Sequence, residues 1–442
     1  MRRKLLLAAA PMALATMVAC ATVDEGSGPL QEDPGPSVVT EAGAEPESDA
    51  APVPDVEPIP PCSKAGWCPT ALPDTDLVLK DIWPLPGRAF AIAESPTLGV
   101  KVLEWVDAEE KWKYIDDNTQ NQSGLGAYAG GIWAPNADEL FYGVASGTIY
   151  HGKRGAAPET AWTWERSQLE DHTPEPWNHS GHDHGSFLNT YTETSYSSLG
   201  VRGIGGDVYA WYANAVYRWT VAANGSGAWV LEHTLDDVAG PEEHAFFVGA
   251  AGTSAEDVWF VGVRAGKTWV FDDWWWQWVQ VDISCPVIAR KTAEGYERIF
   301  DGDLGADCAE RDGVPTIGGE GWLVDLQALS GNRFAGILGG HTMTLISPGT
   351  DSDYSVAHTP IQLGLYDHPM YSAHFATGDQ VWLSGMGIVV RGDAVWDGGA
   401  FGVSTISLNG GPINRPMYRI RGTSDANLWA VGVRHALHKT TH

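Results

Sequence analysis

Four histidines crowd the stretch DHTPEPWNHSGHDHG at residues 171–185. His179, His182 and His184 form an H-x-x-H-x-H pattern around Asp183, and His172 lies upstream. Neutral imidazoles this close together are ligands for Zn, Cu or Ni, and Gly181 would let the backbone fold them inward. Three ligands from one loop leave a coordination position open, as in catalytic zinc sites. His-rich composition is equally a property of solvated polar loops, so the metal reading and the bland one both stand. A second acidic pattern, Asp301, Asp303 and Asp307, has D-x-D-x-x-x-D spacing that offers oxygens to Ca²⁺. It lacks the other ligand positions of an EF-hand loop. A third feature is Asp-Asp-Trp-Trp-Trp at 272–276. As a strand it would place Trp274 and Trp276 on one side and Trp275 on the other. Packing between sheets is the expected use, with a carbohydrate platform as the alternative.

The common enzyme signatures are missing. There is no G-x-S-x-G, H-E-x-x-H or P-loop. A glycosidase needs two facing carboxylates, and sequence alone does not pair them. The leading expectation is therefore a non-enzymatic binding module. A metal-binding or metal-dependent protein and a glycan-active enzyme are the alternatives.

The elements that carry these residues repeat. G-T-S-x-x-[DN]-[VL]-W-x-V-G occurs at Gly252–Gly262 and again at Gly422–Gly432, with degraded copies elsewhere. Aligning one aromatic per copy selects Phe90, Phe141, Tyr209, Trp259, Phe334, Trp382 and Trp429. Their separations are 51, 68, 50, 75, 48 and 47 residues. A period near 50 with two enlarged gaps matches β-propeller arrays. Short runs rich in Val, Trp, Tyr and Thr, broken by Gly, Asn and Asp, read as strands and tight turns. No sustained helical period occurs. The expected fold is all-β: a seven-bladed propeller over 62–442.

The last copy ends at ALHKTTH, one strand short, while AGWCPTA around Trp67 resembles the fourth strands EKWKYID, TAWTWERS and GAWVLEH. Residues near Trp67 are thus expected to complete the last blade and remove an open edge. Insertions fall at 171–190 and 285–308. Reading WWQWVQV as a fourth strand puts the second insertion, like the first, between a fourth and a first strand. Both would then decorate one face.

The GTSxxDVWxVG repeat resembles that of exported bacterial lipoproteins abundant in myxobacteria, loosely related to kelch-type and Asp-box propellers. That resemblance implies the fold, and no activity, because propellers host binding proteins and enzymes alike.

The chain ends and composition supply the expected address. MRRKLLLAAAPMALATMVAC has a basic start and an apolar run too short to span a bilayer, as in a secretory signal at 1–19. Its Met17-Val18-Ala19-Cys20 end looks like a lipobox, which implies cleavage before Cys20 and acylation of its thiol. Ala21 resembles the default outer-membrane sorting signal. Residues 20–61 carry ten acidic residues and no Lys or Arg, which marks a disordered tether. From Cys62 onward there are 24 basic and 46 acidic residues, a net of −22, which argues against nucleic acid as a partner. A protein or glycan ligand and a monomeric state are expected. Export and proximity favour disulfides Cys62–Cys68 and Cys285–Cys308.

Overall fold

Turns such as Gly205-Gly206, Ala255-Glu256 and Asp425-Ala426 separate runs of alternating apolar residues, and the chain folds at each of them into antiparallel hairpins. The computed structural model describes residues 62–440, apart from 123–127, 145, 157–160, 174–185, 190–193, 198, 241–242, 273, 306–307, 350–352, 365–367 and 408–410. Its described residues form seven consecutive antiparallel sheets and a separate hairpin, Ser186–Asn189 with Thr194–Ser197. Six of the sheets have four strands, and the fourth gains a short fifth, Ala309–Glu310. Among the described residues the one helical element is a 3-10 turn, Thr119–Asn121.

The first strands of blades 1 to 7 are Val78–Leu85, Ala129–Asn136, Leu199–Ile204, His244–Ser254, Leu323–Leu329, Met370–Phe375 and Met417–Ser424. Each touches the first strand of the next, and the seventh touches the first, so they ring a central channel. The protein is a seven-bladed β-propeller. The ring closes as the sequence suggested: Trp67–Pro69 pairs with His435–Lys439 as the outer strand of blade 7, with Trp67 opposite Lys439. Trp67 is fully buried, meets Trp382 of blade 6 edge-on at 5.9 Å, and donates its indole N–H to Ser404 at 3.0 Å.

Apolar side chains on the two faces of each sheet meet those of the neighbouring blades, so the core is a set of wedges between blades. The seven aligned aromatics all lie on second strands, and all are buried in these wedges. Trp259 stacks on Phe334 of the next blade at 4.2 Å. The repeated motif spans the end of a first strand, a tight turn and the start of a second. In blade 4, Asp257 accepts the Trp259 indole N–H at 2.9 Å, the Thr253 hydroxyl at 2.6 Å and Arg290 at 2.8 Å. In blade 7, Asn427 replaces Asp257 and bonds Thr423 and His438, while His438 stacks on Trp429 at 4.0 Å. The motif therefore encodes a clasp that fixes the turn and locks the aromatic plate. That is a structural task.

Alternation of strand direction sorts the connections. Links from second to third strands and from fourth strands to the next blade emerge on one face, called the loop face; the others emerge on the turn face. At Gly205–Gly206 on the turn face both residues have positive φ, and a Cβ on Gly205 would lie 2.0 Å from the Ala255 nitrogen. Only glycine fits so close to the next blade.

Blade 4 departs from expectation. Its second and third strands, Asp257–Asp272 and Gln277–Thr292, are 16 residues each and pair along their whole length. WWQWVQV is thus part of the tip and outer half of a third strand, and the fourth strand is Gly295–Asp303. The error has a local cause: the Trp-rich run looks like the other fourth strands, and only its pairing partner tells them apart. Cys285 sits within the third strand, so 285–308 is not a fourth-to-first connection. The enlarged gap is divided between a projecting hairpin and the 304–322 link to blade 5.

Candidate functional site

Two regions combine exposed or charged side chains with space for a ligand. The first is the blade 4 hairpin, hereafter the arm. Beyond Ala265 the first strand of the blade ends, and residues 266–272 pair with 277–283 alone. At ~3.3 Å per residue, seven residues extend the arm about 23 Å from the sheet. Its cross-strand partners share a face. Trp269 opposes Gln280, Phe271 opposes Trp278, and Lys267 opposes Asp282, so three aromatics, an amide and two charges line one side. At the tip, Asp272 accepts the backbone N–H groups of Trp274 and Trp275 at 2.8 and 3.1 Å. Trp276 has φ 50°, a conformation bulky residues rarely adopt.

Trp269, Trp274, Trp275, Trp276 and Trp278 are 62%, 84%, 69%, 81% and 62% exposed. The tryptophan run at 272–276 therefore does not pack between blades, because it forms a turn beyond the last neighbouring strand. Beside the arm lies a cavity of about 370 Å³ whose lining includes Trp269, Phe271, Trp278, Asp282 and Glu320. It places two carboxylates next to exposed indoles.

The base of the arm is rigid. Cys285 and Cys308 form a disulfide and pack with Ile283 and Leu304 in a small apolar cluster. Beside it, the fully buried Arg264 donates to both oxygens of the equally buried Asp301 at 2.6 and 2.9 Å. It also donates to Glu243 at 2.9 Å and Asp237 at 3.0 Å. Arg311 donates to Glu243 at 2.9 Å, and Arg298 bridges Asp301 and Asp237. Burial alone would lower the Arg264 pKa, but the bond and charge of Asp301 outweigh it and hold it raised.

The second region is the channel. Irregular registers in the first strands leave backbone N–H groups that side chains of the previous blade satisfy. Asp81 accepts from Ile132, Asp325 from Ala373 and Ser372 from Ile420, each at 3.1 Å. Asp325 also binds Arg419 at 2.8 Å and Arg421 at 2.6 Å, and Arg419 approaches Asp81 at 3.6 Å. Burial would raise the Asp325 pKa; Arg419 and Arg421 overcome that and hold it well below the carboxylate range. His374, in the same channel, is pushed down to about 4 by burial, with Arg421 adding to the shift. Arg202 lies among these groups over the Trp83 ring, 5.5 Å from its centroid.

The expected site residues fare differently. The disulfides Cys62–Cys68 and Cys285–Cys308 are both present. His179, His182 and His184 lie outside the described residues, as does Cys20. His172 is placed, with its carbonyl accepting from Asn214 at 2.9 Å. Of the aspartate pattern, Asp301 is committed to Arg264 and Arg298, Asp303 accepts the Gly305 N–H at 2.6 Å, and Asp307 lies outside the described residues. A cation there would compete with two guanidiniums. Among the described residues no group of three or more His, Cys, Asp or Glu is arranged to hold a metal ion. The arm's paired face and the channel charges escaped the sequence reading. Uninterrupted K-T-W-V-F-D and Q-W-V-Q-V flanking the tryptophans was the available signal for the arm; the channel offered none.

No protein-family model matches the chain, and no curated protein is similar to it by sequence. Solved structures do resemble it in fold. YCF48 bound to D1 peptide is 12% identical, with a TM-score of 0.50 over 87% of this chain and 100% of that one. YCF48 from Cyanidioschyzon merolae is 13% identical, with a TM-score of 0.49 over 85% and 98%. The WD40 propeller domain of Doa1 is 11% identical, with a TM-score of 0.47 over 84% and 96%. The likeness is one of fold.

Proposed function

We propose that this chain is a non-enzymatic binding module of the bacterial cell envelope, held at the outer membrane by lipid on Cys20, that engages a glycan or protein surface through its loop face. The observation that carries this reading is the set of five exposed indoles on a projecting arm whose base is cross-linked and buried. A large exposed aromatic patch on an otherwise acidic surface marks an interaction site. A strained, exposed tryptophan at the turn, where Gly or Asn would fit without cost, points the same way.

The side chains favour a glycan. Sugar rings present C–H groups to aromatic faces and hydroxyls to amides and carboxylates, and the arm sets Trp269 and Trp278 beside Gln280 and Asp282 on one side. A protein ligand is the second reading; YCF48, a propeller of this fold, is seen bound to a D1 peptide. Glycan-array binding by the full chain tests the first. Trp269→Ala with Trp278→Ala is expected to abolish retention with melting unchanged, and unaltered retention would overturn the arm's role. Because Asp282 and Glu320 flank the same cavity, the array is read a second time for hydrolysis products. Their appearance, and their loss in Asp282→Asn or Glu320→Gln, would replace a binding module by a glycan-active enzyme.

The anchor is tested separately. Cys20→Ser is expected to move the protein from the envelope fraction to the soluble one. Metal content of the purified chain tests the loop holding His179, His182 and His184, with Zn or Cu as the ions that imidazoles suit.

A further inference from the structure

Three guanidiniums converge on the channel: Arg202 from blade 3, and Arg419 and Arg421 from blade 7. Two carboxylates face them. Asp325 gives one oxygen to Arg419 and Arg421 and the other to the Ala373 N–H. Asp81 gives its oxygens to the N–H groups of Ile82 and Ile132, at 2.9 and 3.1 Å, and lies beside Arg419. Lys80 is matched by Glu94 at 3.2 Å. Arg202 makes no hydrogen bond or ion pair with a described residue; its guanidinium lies over the Trp83 ring, and Asp325 and Asp81 act on it only at longer range. The channel therefore holds one more positive charge than its carboxylates balance.

Space is present where that charge sits. Arg202, Arg421 and Trp83 border two cavities, of about 280 Å³ toward the loop face and about 380 Å³ toward the turn face. Arg202 thus stands at a waist between them. Such volumes are near the lower end of small-molecule sites, roughly 300–1,000 Å³. A guanidinium carries its donors in a planar fork that matches two oxygens of one carboxylate or phosphoryl group. Burial and the repulsion of Arg421 push the Arg202 pKa down to about 10, so it remains a cation at neutral pH while being poorly compensated. His374 stays neutral there and adds no competing charge.

We propose that the waist of the channel binds one small anion, carrying a carboxylate or a phosphoryl group, through the Arg202 fork. The site is separate from the arm and stands or falls without it. No carboxylate is among the residues lining the turn-face cavity, so a cation would find no charged partner there. An anion lodged at the fork supplies the missing negative charge.

Calorimetric titration of the full chain in detergent, at neutral pH and low ionic strength, tests this. Inorganic phosphate is one series, and acetate and succinate are another, which separates the two chemistries. One saturable site for at least one series is expected. Arg202→Met should weaken it about tenfold or more, and Arg202→Lys, which keeps charge without the fork, should fall between. Arg202→Met should also melt close to the parent, because the removed group has no hydrogen-bond or ion-pair partner among the described residues and methionine keeps an apolar contact with the Trp83 ring. Absence of saturable binding in both series, or equal binding by Arg202→Met, overturns the proposal. So does Arg202→Met melting well below the parent, which would make Arg202 a structural strut.

Discussion

Arginines do opposite things in two parts of this propeller. At the base of the arm, Arg264, Arg298 and Arg311 meet Asp237, Glu243 and Asp301, three charges against three. In the channel, Arg419 and Arg421 pair with Asp81 and Asp325, and Arg202 has no ion pair with a described residue. A complete buried lattice has no capacity left for a ligand, and its net effect is to hold a shape. An incomplete one retains a donor fork that no described side chain neutralises. The same residue type serves rigidity in one place and recognition in the other, and the local carboxylate count decides which.

The sharpest way to break this contrast is to remove one charge from each side. Asp301→Asn strips the buried Arg264 of its fully buried partner and should lower unfolding free energy by about 3–5 kcal/mol. Arg202→Met, which loses a ring contact but no ion pair with a described residue, should change it by no more than about 1 kcal/mol. Equal losses in urea titrations would show that the two clusters do not differ. The disulfide comes next. Cys285→Ser with Cys308→Ser should cost about 2–4 kcal/mol. The loss of amide protection should concentrate in 266–283, the arm, and spare the first strands. Hydrogen exchange reads where it falls.

A titration sharpens the channel side. His374 is held near 4 in the fold against about 6.5 for a free imidazole. The unfolded chain therefore binds the extra proton first, so the neutral imidazole's contribution is present above about pH 6.5 and lost as pH falls toward 4. The wild type should lose on the order of 2 kcal/mol more than His374→Gln between pH 7 and 4.5. Burial is the main cause of the shift; Arg421 and Arg202 add to it, and Asp425 and Asp325 oppose it. Equal acid sensitivity in urea melts of the two proteins would place the imidazole in solvent. The smallest effect belongs to the arm tip. Trp275→Ala should change stability by no more than about 0.5 kcal/mol, because the indole lies in solvent, whereas ligand retention should fall.

Much of the ring was legible from local patterns. Trp259 and Trp429 recur with the same turn before them because the clasp they enter is built from neighbours within a few residues. Trp67 resembled other outer strands because it does their task, closing blade 7 against blade 6. Trp278 resembled them too and was misplaced. Its partner is Phe271, across a hairpin that leaves the sheet, and nothing in the run itself states which strand it will pair with.

The sequence by itself determined the repeating unit, its count, the closure and the bridging cysteines, since turns, alternation and aromatic plates act over short spans. Only the tertiary structure decided the charge balance. Asp325 and Arg421 are 96 residues apart, and Arg202 joins them from a third blade. Whether a guanidinium is neutralised depends on every side chain that seven strands bring to one axis, and that sum is set by how the blades converge, not by any one of them.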